Sequence, residues 1–249
     1  MKITVLVDNN SRIDNYLLAE PALSLLIEHK DKKILFDTGF SNIFIQNAKA
    51  LTIDLNNITD TVISHGHNDH TGGLKYLTTS SKINLTAHPN IFDTKVELDG
   101  TPYGCPISKE KLETHFLLNL TKTPYHITED LLFLGEIENN TSNDIDDSAL
   151  VYIIQNELFI ITGCSHAGIV NIINYAKKIT GLNKIYGILG GLHLIDKTDT
   201  ELETIAEIFK QENIKYLAPC HCCDLKSKIM LAKKNNIQDI CTGDIIKLP

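Results

Sequence analysis

Short apolar runs separated by turn-type residues open the chain. Residues 5–7, 23–28 and 33–36 are β-branched or aliphatic in character and predict an opening group of strands. Asp37-Thr38-Gly39 closes the third, 42–51 carries apolar residues at helical spacing, and 61–64 returns to strand. The second half repeats this order. Runs 149–154 and 158–161, joined by Gln155-Asn156, predict a hairpin, followed by Thr162-Gly163-Cys164-Ser165-His166 and a helix from about 169 to 179. A strand over 185–189 ends in Gly190-Gly191-Leu192-His193, 201–210 reads as helix, and the strand at 216–218 ends in Pro219-Cys220-His221. Three predicted strand ends therefore deliver three histidines. Between the halves, from about 89 to 147, periodicity fades and turn signals gather at Asp99-Gly100-Thr101-Pro102 and over 138–144, which predicts a loop-rich insertion within one domain spanning 1–249.

Composition narrows the class. Hydrophobic residues make up 43% and charged residues 22%, so a packed core is expected rather than a disordered chain. The formal net charge of -8, with lysines scattered among acids, offers no basic footprint for a nucleic-acid partner. The first eight residues lack the pattern of a signal peptide, and no window approaches the roughly 18 uninterrupted apolar residues that span a bilayer. The expectation is a cytoplasmic protein with neither membrane nor nucleic acid as partner, its oligomeric state open. Six cysteines, three of them crowded around His221, show no framework spacing and read as reduced thiols.

The strongest local signal is His65-Gly66-His67-Asn68-Asp69-His70, which follows a predicted buried strand and places three imidazoles and a carboxylate within six residues. Imidazole nitrogen and carboxylate oxygen are the donors that zinc, iron and manganese accept. The following Thr71-Gly72-Gly73-Leu74 fits a tight turn into a helix. His29, His88, His115 and His126 have no such cluster to join.

The pattern His-x-His-x-Asp-His followed by Thr-Gly-Gly resembles the signature of the metallo-β-lactamase superfamily. Phe36-Asp37-Thr38-Gly39 resembles that family's strand-terminating Asp, and Pro219-Cys220-His221 its late Pro-x-His. The stretches Thr162-Gly163-Cys164-Ser165-His166-Ala167-Gly168 and Gly190-Gly191-Leu192-His193-Leu194 are similar to the subgroup named for archaeal dihydropterin-methyl-ribofuranosylaminobenzene-phosphate synthase. The resemblance implies an α/β fold, a four-layer αββα sandwich with two pseudo-symmetric halves. It also implies one or two divalent metal ions, zinc foremost with manganese or iron as alternatives. One would be bound by His65, His67 and a later histidine, assigned to His166, and the other by Asp69, His70 and His221. The chain departs from the family where a Gly-Asp usually supplies a bridging carboxylate, because it has Gly163-Cys164. A thiolate is a competent zinc ligand, so Cys164 is a candidate ligand, with a buried structural cysteine as the alternative. Asp37 reads as a residue that orients a ligand histidine through its other ring nitrogen.

These features predict a hydrolase in which metal-activated water attacks a small anionic substrate such as a phosphoester or a pterin pyrophosphate. Asp69 would orient or deprotonate the water and His193 would protonate the leaving group, the alternatives for His193 being a ligand or a supporting histidine. A first rival is condensation of a pterin pyrophosphate with an aminobenzene ribotide. Di-iron redox relatives carry Glu where this chain has His67, which argues against electron transfer. A rival of another class is a metal-binding sensor or scaffold that adds Cys220, Cys222 and Cys223 as soft ligands.

Overall fold

In the computed structural model, which describes residues 1–138 and 145–249, the chain is a mixed α/β protein with two sheets and, among the described residues, six α-helices. It clusters into two compact units, Met1–Lys122 with Cys241–Pro249, and Thr123–Ile240.

The first unit begins with β1 (Lys2–Val7), β2 (Ser24–His29) and β3 (Lys32–Phe36), paired antiparallel. Five consecutive residues of β1 are buried, the mark of a strand covered on both faces. After helix α1 (Ile43–Ala50) come β4 (Asp60–Val62), the one-turn α2 (Asn68–Thr71), β5 (Ile83–Ala87), α3 (Lys109–Glu113) and β6 (Phe116–Leu120). The strands β3 to β6 run parallel, and a closing strand at Ile245–Lys247 pairs with the other side of β1. Phe44 and Ala48 of α1 join Leu6, Leu35, Ile63 and Leu85 in one apolar core. The buried Asn47 beside them is satisfied: its amide donates to Leu6 O at 2.7 Å and Leu18 O at 2.8 Å.

The second unit opens with an antiparallel meander, β7 (Tyr125–Thr128), β8 (Leu131–Phe133), β9 (Ala149–Ile154) and β10 (Glu157–Thr162). Gln155 and Asn156, with φ of 48° and 66°, make the two-residue hairpin expected between β9 and β10 in the left-handed backbone such loops require. Helix α4 (Ile169–Thr180) then leads to β11 (Ile185–Gly191), α5 (Asp199–Gln211) to β12 (Tyr216–Cys220), and α6 (Leu225–Ala232) comes after it. β10, β11 and β12 are parallel. Helix α5 starts on a capping box in which Thr198 Oγ1 accepts from Glu201 N and the Glu201 carboxylate accepts from Thr198 N. Ile172, Ile173, Leu202 and Phe209 of the helices pack with Val151, Ile160, Ile188 and Leu217 of the sheet.

Each unit thus runs from antiparallel strands into parallel strands with intervening helices, the repeat anticipated from the apolar runs. The stretch expected to be loop-rich is more ordered than its sequence suggests. It holds β6, β7 and β8, at or near the edges of the two sheets. β6 and β7 have mostly half-buried or exposed residues, so neither presents the continuous apolar run that marks a central strand. Of the turn signals at 138–144, all but Glu138 lie outside the described residues. No helix among the described residues is long and apolar enough to cross a membrane.

Candidate metal centre

In the first unit the chemistry-bearing side chains sit where parallel strands end. Asp37 follows β3 directly, is fully buried, and holds a left-handed backbone with φ of 55°. Its Oδ1 accepts from Ser64 N at 2.8 Å, and its Oδ2 accepts from Ser64 Oγ and from His70 Nδ1, both at 2.7 Å. Ser64 Oγ in turn lies 2.9 Å from His65 Nδ1. Donor inventory assigns the protons. An ionised carboxylate only accepts, so His70 carries its proton on Nδ1; the single Ser64 hydroxyl proton is committed to Asp37, so Ser64 accepts from His65 Nδ1. In both rings the coordinating nitrogen would be Nε2. One buried carboxylate therefore sets two tautomers, directly for His70 and through Ser64 for His65.

His67 caps α2, its carbonyl accepting from Thr71 N at 3.0 Å and Thr71 Oγ1 at 2.8 Å, while its ring meets Tyr103 edge-on at 4.9 Å. Asp69 Oδ2 stands 3.5 Å from His70 Nε2, and the donor atoms of His65 and His67 lie within 4.8 Å of each other. The expected tight turn is a 3₁₀ turn at Gly72–Tyr76, and its glycines have a further purpose. A Cβ on Gly72 would come within 2.3 Å of Phe40 O, and one on Gly73 within 2.0 Å of Thr38 O, so only glycine lets this backbone press against the loop after β3. Thr38 completes the clasp, donating from its N at 2.8 Å and its Oγ1 at 2.9 Å to His70 O.

In the second unit three strand ends contribute. Cys164 and Ser165 follow β10, Leu192 and His193 follow β11, and His221 follows β12. His221 Nε2 lies 3.1 Å from Cys164 Sγ, so the thiol is both buried and beside a ligand-type nitrogen. The His166 and His193 rings are 4.4 Å apart between centroids. Ser165, His193 and His221 all have left-handed backbones, with φ of 66°, 49° and 52°. Such conformations cost of order 1 kcal/mol or more each and persist where surroundings enforce them. Here the enforcing contacts are visible: Ser165 Oγ and Thr162 Oγ1 both donate to Gly191 O, at 2.7 and 2.8 Å. Leu192 N and His193 N donate to the sulfurs of Cys223 and Cys222, at 3.4 and 3.2 Å. Burial, together with the adjoining Cys164 and Cys223 sulfurs, pushes the Cys222 thiol well above its usual pKa. His193 Nδ1 is buried with no hydrogen-bond partner among the described residues.

Of the candidates named from the sequence, His65 lies in the loop after β4, His67 caps α2 and Asp69 and His70 lie within it, while in the other unit Cys164 and His166 lie after β10, His193 after β11 and His221 after β12. The sequence reading missed Ser64, although a hydroxyl directly before the first histidine was a legible signal. It also missed Glu20, whose carboxylate accepts from Phe40 N at 3.0 Å, Ser41 N at 3.2 Å and Ser41 Oγ at 2.6 Å, fixing the loop after β3. Nothing local marks that role. His88, set aside as ordinary, accepts from Asn90 N at 3.1 Å and caps the 3₁₀ turn at Pro89–Phe92.

Comparison with known proteins agrees with fold and motifs. The chain belongs to the metallo-β-lactamase superfamily: the sequence profile of the Metallo-beta-lactamase superfamily matches residues 18–127, and full-length relatives extend the likeness. An uncharacterized protein of Methanocaldococcus jannaschii is 32% identical, with 98% of this chain and 99% of that one covered. The 7,8-dihydropterin-6-methyl-4-(β-D-ribofuranosyl)-aminobenzene-5'-phosphate synthase of the same organism is 29% identical, with coverage of 99% and 96%. Among solved structures, Tm1679, a metal-dependent hydrolase of the β-lactamase superfamily, is 28% identical with a TM-score of 0.87, covering 100% of this chain and 99% of its own. The protein accordingly has the metal-dependent-hydrolase fold of this superfamily and carries histidine, aspartate and cysteine donors able to bind a metal.

Proposed function

We propose that this protein is a hydrolase that uses zinc-activated water on a small anionic substrate such as a phosphoester. The observation that carries this reading is the Asp37–Ser64 relay, which prepares two neutral imidazoles to present Nε2. A surface histidine turn would have no reason to spend a fully buried carboxylate on ring orientation, whereas metal-ligating histidines characteristically have their second nitrogen held in this way. The donor chemistry fits a divalent cation: neutral imidazoles, one carboxylate and a thiol are a borderline-soft set suited to zinc, with manganese or iron as alternatives. His65, His67 and His166 would hold one ion and Asp69, His70 and His221 a second, with Cys164 as an additional ligand beside His221.

Such an ion supplies Lewis-acid polarisation and acidifies water toward neutral pH. The chain's own residues would do the rest. The Asp69 carboxylate orients the attacking water and receives its proton; His193 gives a proton to the departing oxygen. A second reading, condensation of a pterin pyrophosphate with an aminobenzene ribotide, is favoured by the full-length relative that is named as that synthase. One experiment separates them. The purified, zinc-reconstituted protein is assayed for metal content and against phosphodiesters, lactones, thioesters and pterin pyrophosphate, the last with and without the aminobenzene ribotide. Zinc-dependent hydrolysis supports the proposal, product formed only with both condensation partners transfers it to the second reading, and failure to retain any divalent metal overturns both.

A further inference from the structure

We propose that Asp147 is a positioning residue for His166, its buried carboxylate pinning the turn from which that ring projects; this rests on the reading of His166 as a metal ligand above. Sheet register brings the two together. Ala149 at the start of β9 pairs with Thr162 at the end of β10, so the residues just before β9 lie beside the chain that leaves β10. Asp146, Asp147 and Ser148 are each 1% exposed there, and a carboxylate in such a place persists only where donors meet it. Ala167 N is such a donor, 2.9 Å from Asp147 Oδ2.

The bond answers a need at Ala167. Gly168 N donates to Ser165 O at 2.9 Å, closing a turn with His166 and Ala167 at its corner, and the α4 ladder starts with Ile172 N donating to Gly168 O at 3.0 Å. The Ala167 N–H therefore falls ahead of the helix, at a buried residue to which the helix offers no carbonyl. The N-cap Gly168 has no side-chain cap and the first turn of α4 has no acid, so a carboxylate beside that positive end is favourable as well. The consequence falls on His166. Ser165 is held on one side by its hydroxyl bond to Gly191 O and Ala167 on the other by Asp147, both neighbours buried while His166 is half-buried. Ser165 is left-handed, with φ of 66°, a conformation that a released chain would relax. Asp37 sets ring tautomers in the first unit, and Asp147 sets the backbone under a ring in the second.

Zinc affinity, measured by competition with a chromophoric chelator in folded variants, tests this beside the absorption bands of the cobalt-substituted protein, which report ligand geometry at the ion. Asp147→Ala is expected to weaken zinc binding roughly tenfold or more, the usual loss when a group supporting a ligand is removed, and to shift the cobalt bands. Asp147→Asn, which keeps an oxygen for Ala167 N, should restore affinity to near the unmodified value. Asp147→Glu keeps the charge but sets the carboxylate one methylene off, so it should behave like Asp147→Ala and decides the question where that variant does not fold. A lowered melting temperature with unchanged zinc affinity and cobalt bands would make Asp147 a purely structural residue and overturn the proposal. Tighter zinc binding in Asp147→Glu than in Asp147→Asn would overturn it too, because charge at the helix end rather than the bond to Ala167 would then matter. His166→Ala tests the ligand reading separately: unchanged zinc stoichiometry there removes His166 from the ligand set, whereas loss in His166→Ala with none in Asp147→Ala sinks only the positioning role.

Discussion

Replacing Asp37 by Asn changes one atom's hydrogen-bonding capacity at a fully buried position, and the relay carries that change to two histidine rings. The carboxylate accepts three hydrogen bonds. If the amide keeps its oxygen toward Ser64 N, its NH₂ faces Ser64 Oγ and His70 Nδ1. The amide then donates to Nδ1, His70 takes the tautomer protonated on Nε2, and the nitrogen that should bind metal is blocked. Ser64 Oγ, no longer donating to Asp37, is free to turn its proton toward His65 Nδ1, which blocks the second ring in the same way. If the amide flips, an N–H is set against Ser64 N–H and a buried donor goes unmet, at a cost of about 1–3 kcal/mol. Loss of a ligand-orienting partner typically weakens metal affinity by roughly 10–100-fold, about 1.4–2.7 kcal/mol. Because two rings are coupled to this carboxylate, the upper end is expected for Asp37→Asn. Ser64→Ala, which disturbs only His65, should fall near the lower end. Competition against a chromophoric zinc chelator, with circular dichroism to confirm folding, measures both. Wild-type zinc affinity in folded Asp37→Asn would refute the tautomer argument.

The same geometry sets four further outcomes. His67→Ala should lose metal and activity together while keeping the fold, since its ring caps no core; full metal stoichiometry by elemental analysis would remove it from the ligand set. Cys164→Ser should weaken zinc retention against a chelator if the thiol beside His221 is a ligand, whereas a lowered melting temperature with unchanged zinc affinity would make it a packing residue only. His193→Ala should keep fold and metal yet lower turnover by roughly a hundredfold, the usual contribution of a positioned proton donor, with the smallest loss on substrates whose leaving groups are already stable anions; metal loss would instead make it a ligand. Gly191→Ala would place a Cβ 2.2 Å from Gly163 O and 2.7 Å from Cys222 Sγ, an overpacking expected to cost about 1–3 kcal/mol in a denaturant titration.

Which of these features a reader of the sequence can see depends on whether the physics behind them is local. The central strands were legible because burial on both faces demands unbroken apolar runs, as in β1 and β10. The donors were legible because metal chemistry restricts residue type, and His65 to His70 sit together on the chain as they do in space. The edge strand β7 was not, because two of its four residues are exposed and half-polar sequence there carries no period to read. The supporting contacts were least legible of all. Glu20 bonds the loop at Phe40 and Ser41 from 20 residues away, and Cys222 and Cys223 accept from His193 and Leu192 across separations of 29 and 31. Three cysteines around His221 suggested soft ligands from their residue type alone. In the structure Cys222 and Cys223 accept from consecutive backbone N–H groups of the loop that carries His193, and alanine at either position would leave the corresponding N–H without that partner. The thiols therefore shape the loop behind the candidate proton donor, a role that depends on β11 and β12 lying side by side and so has no signature in the sequence around either cysteine.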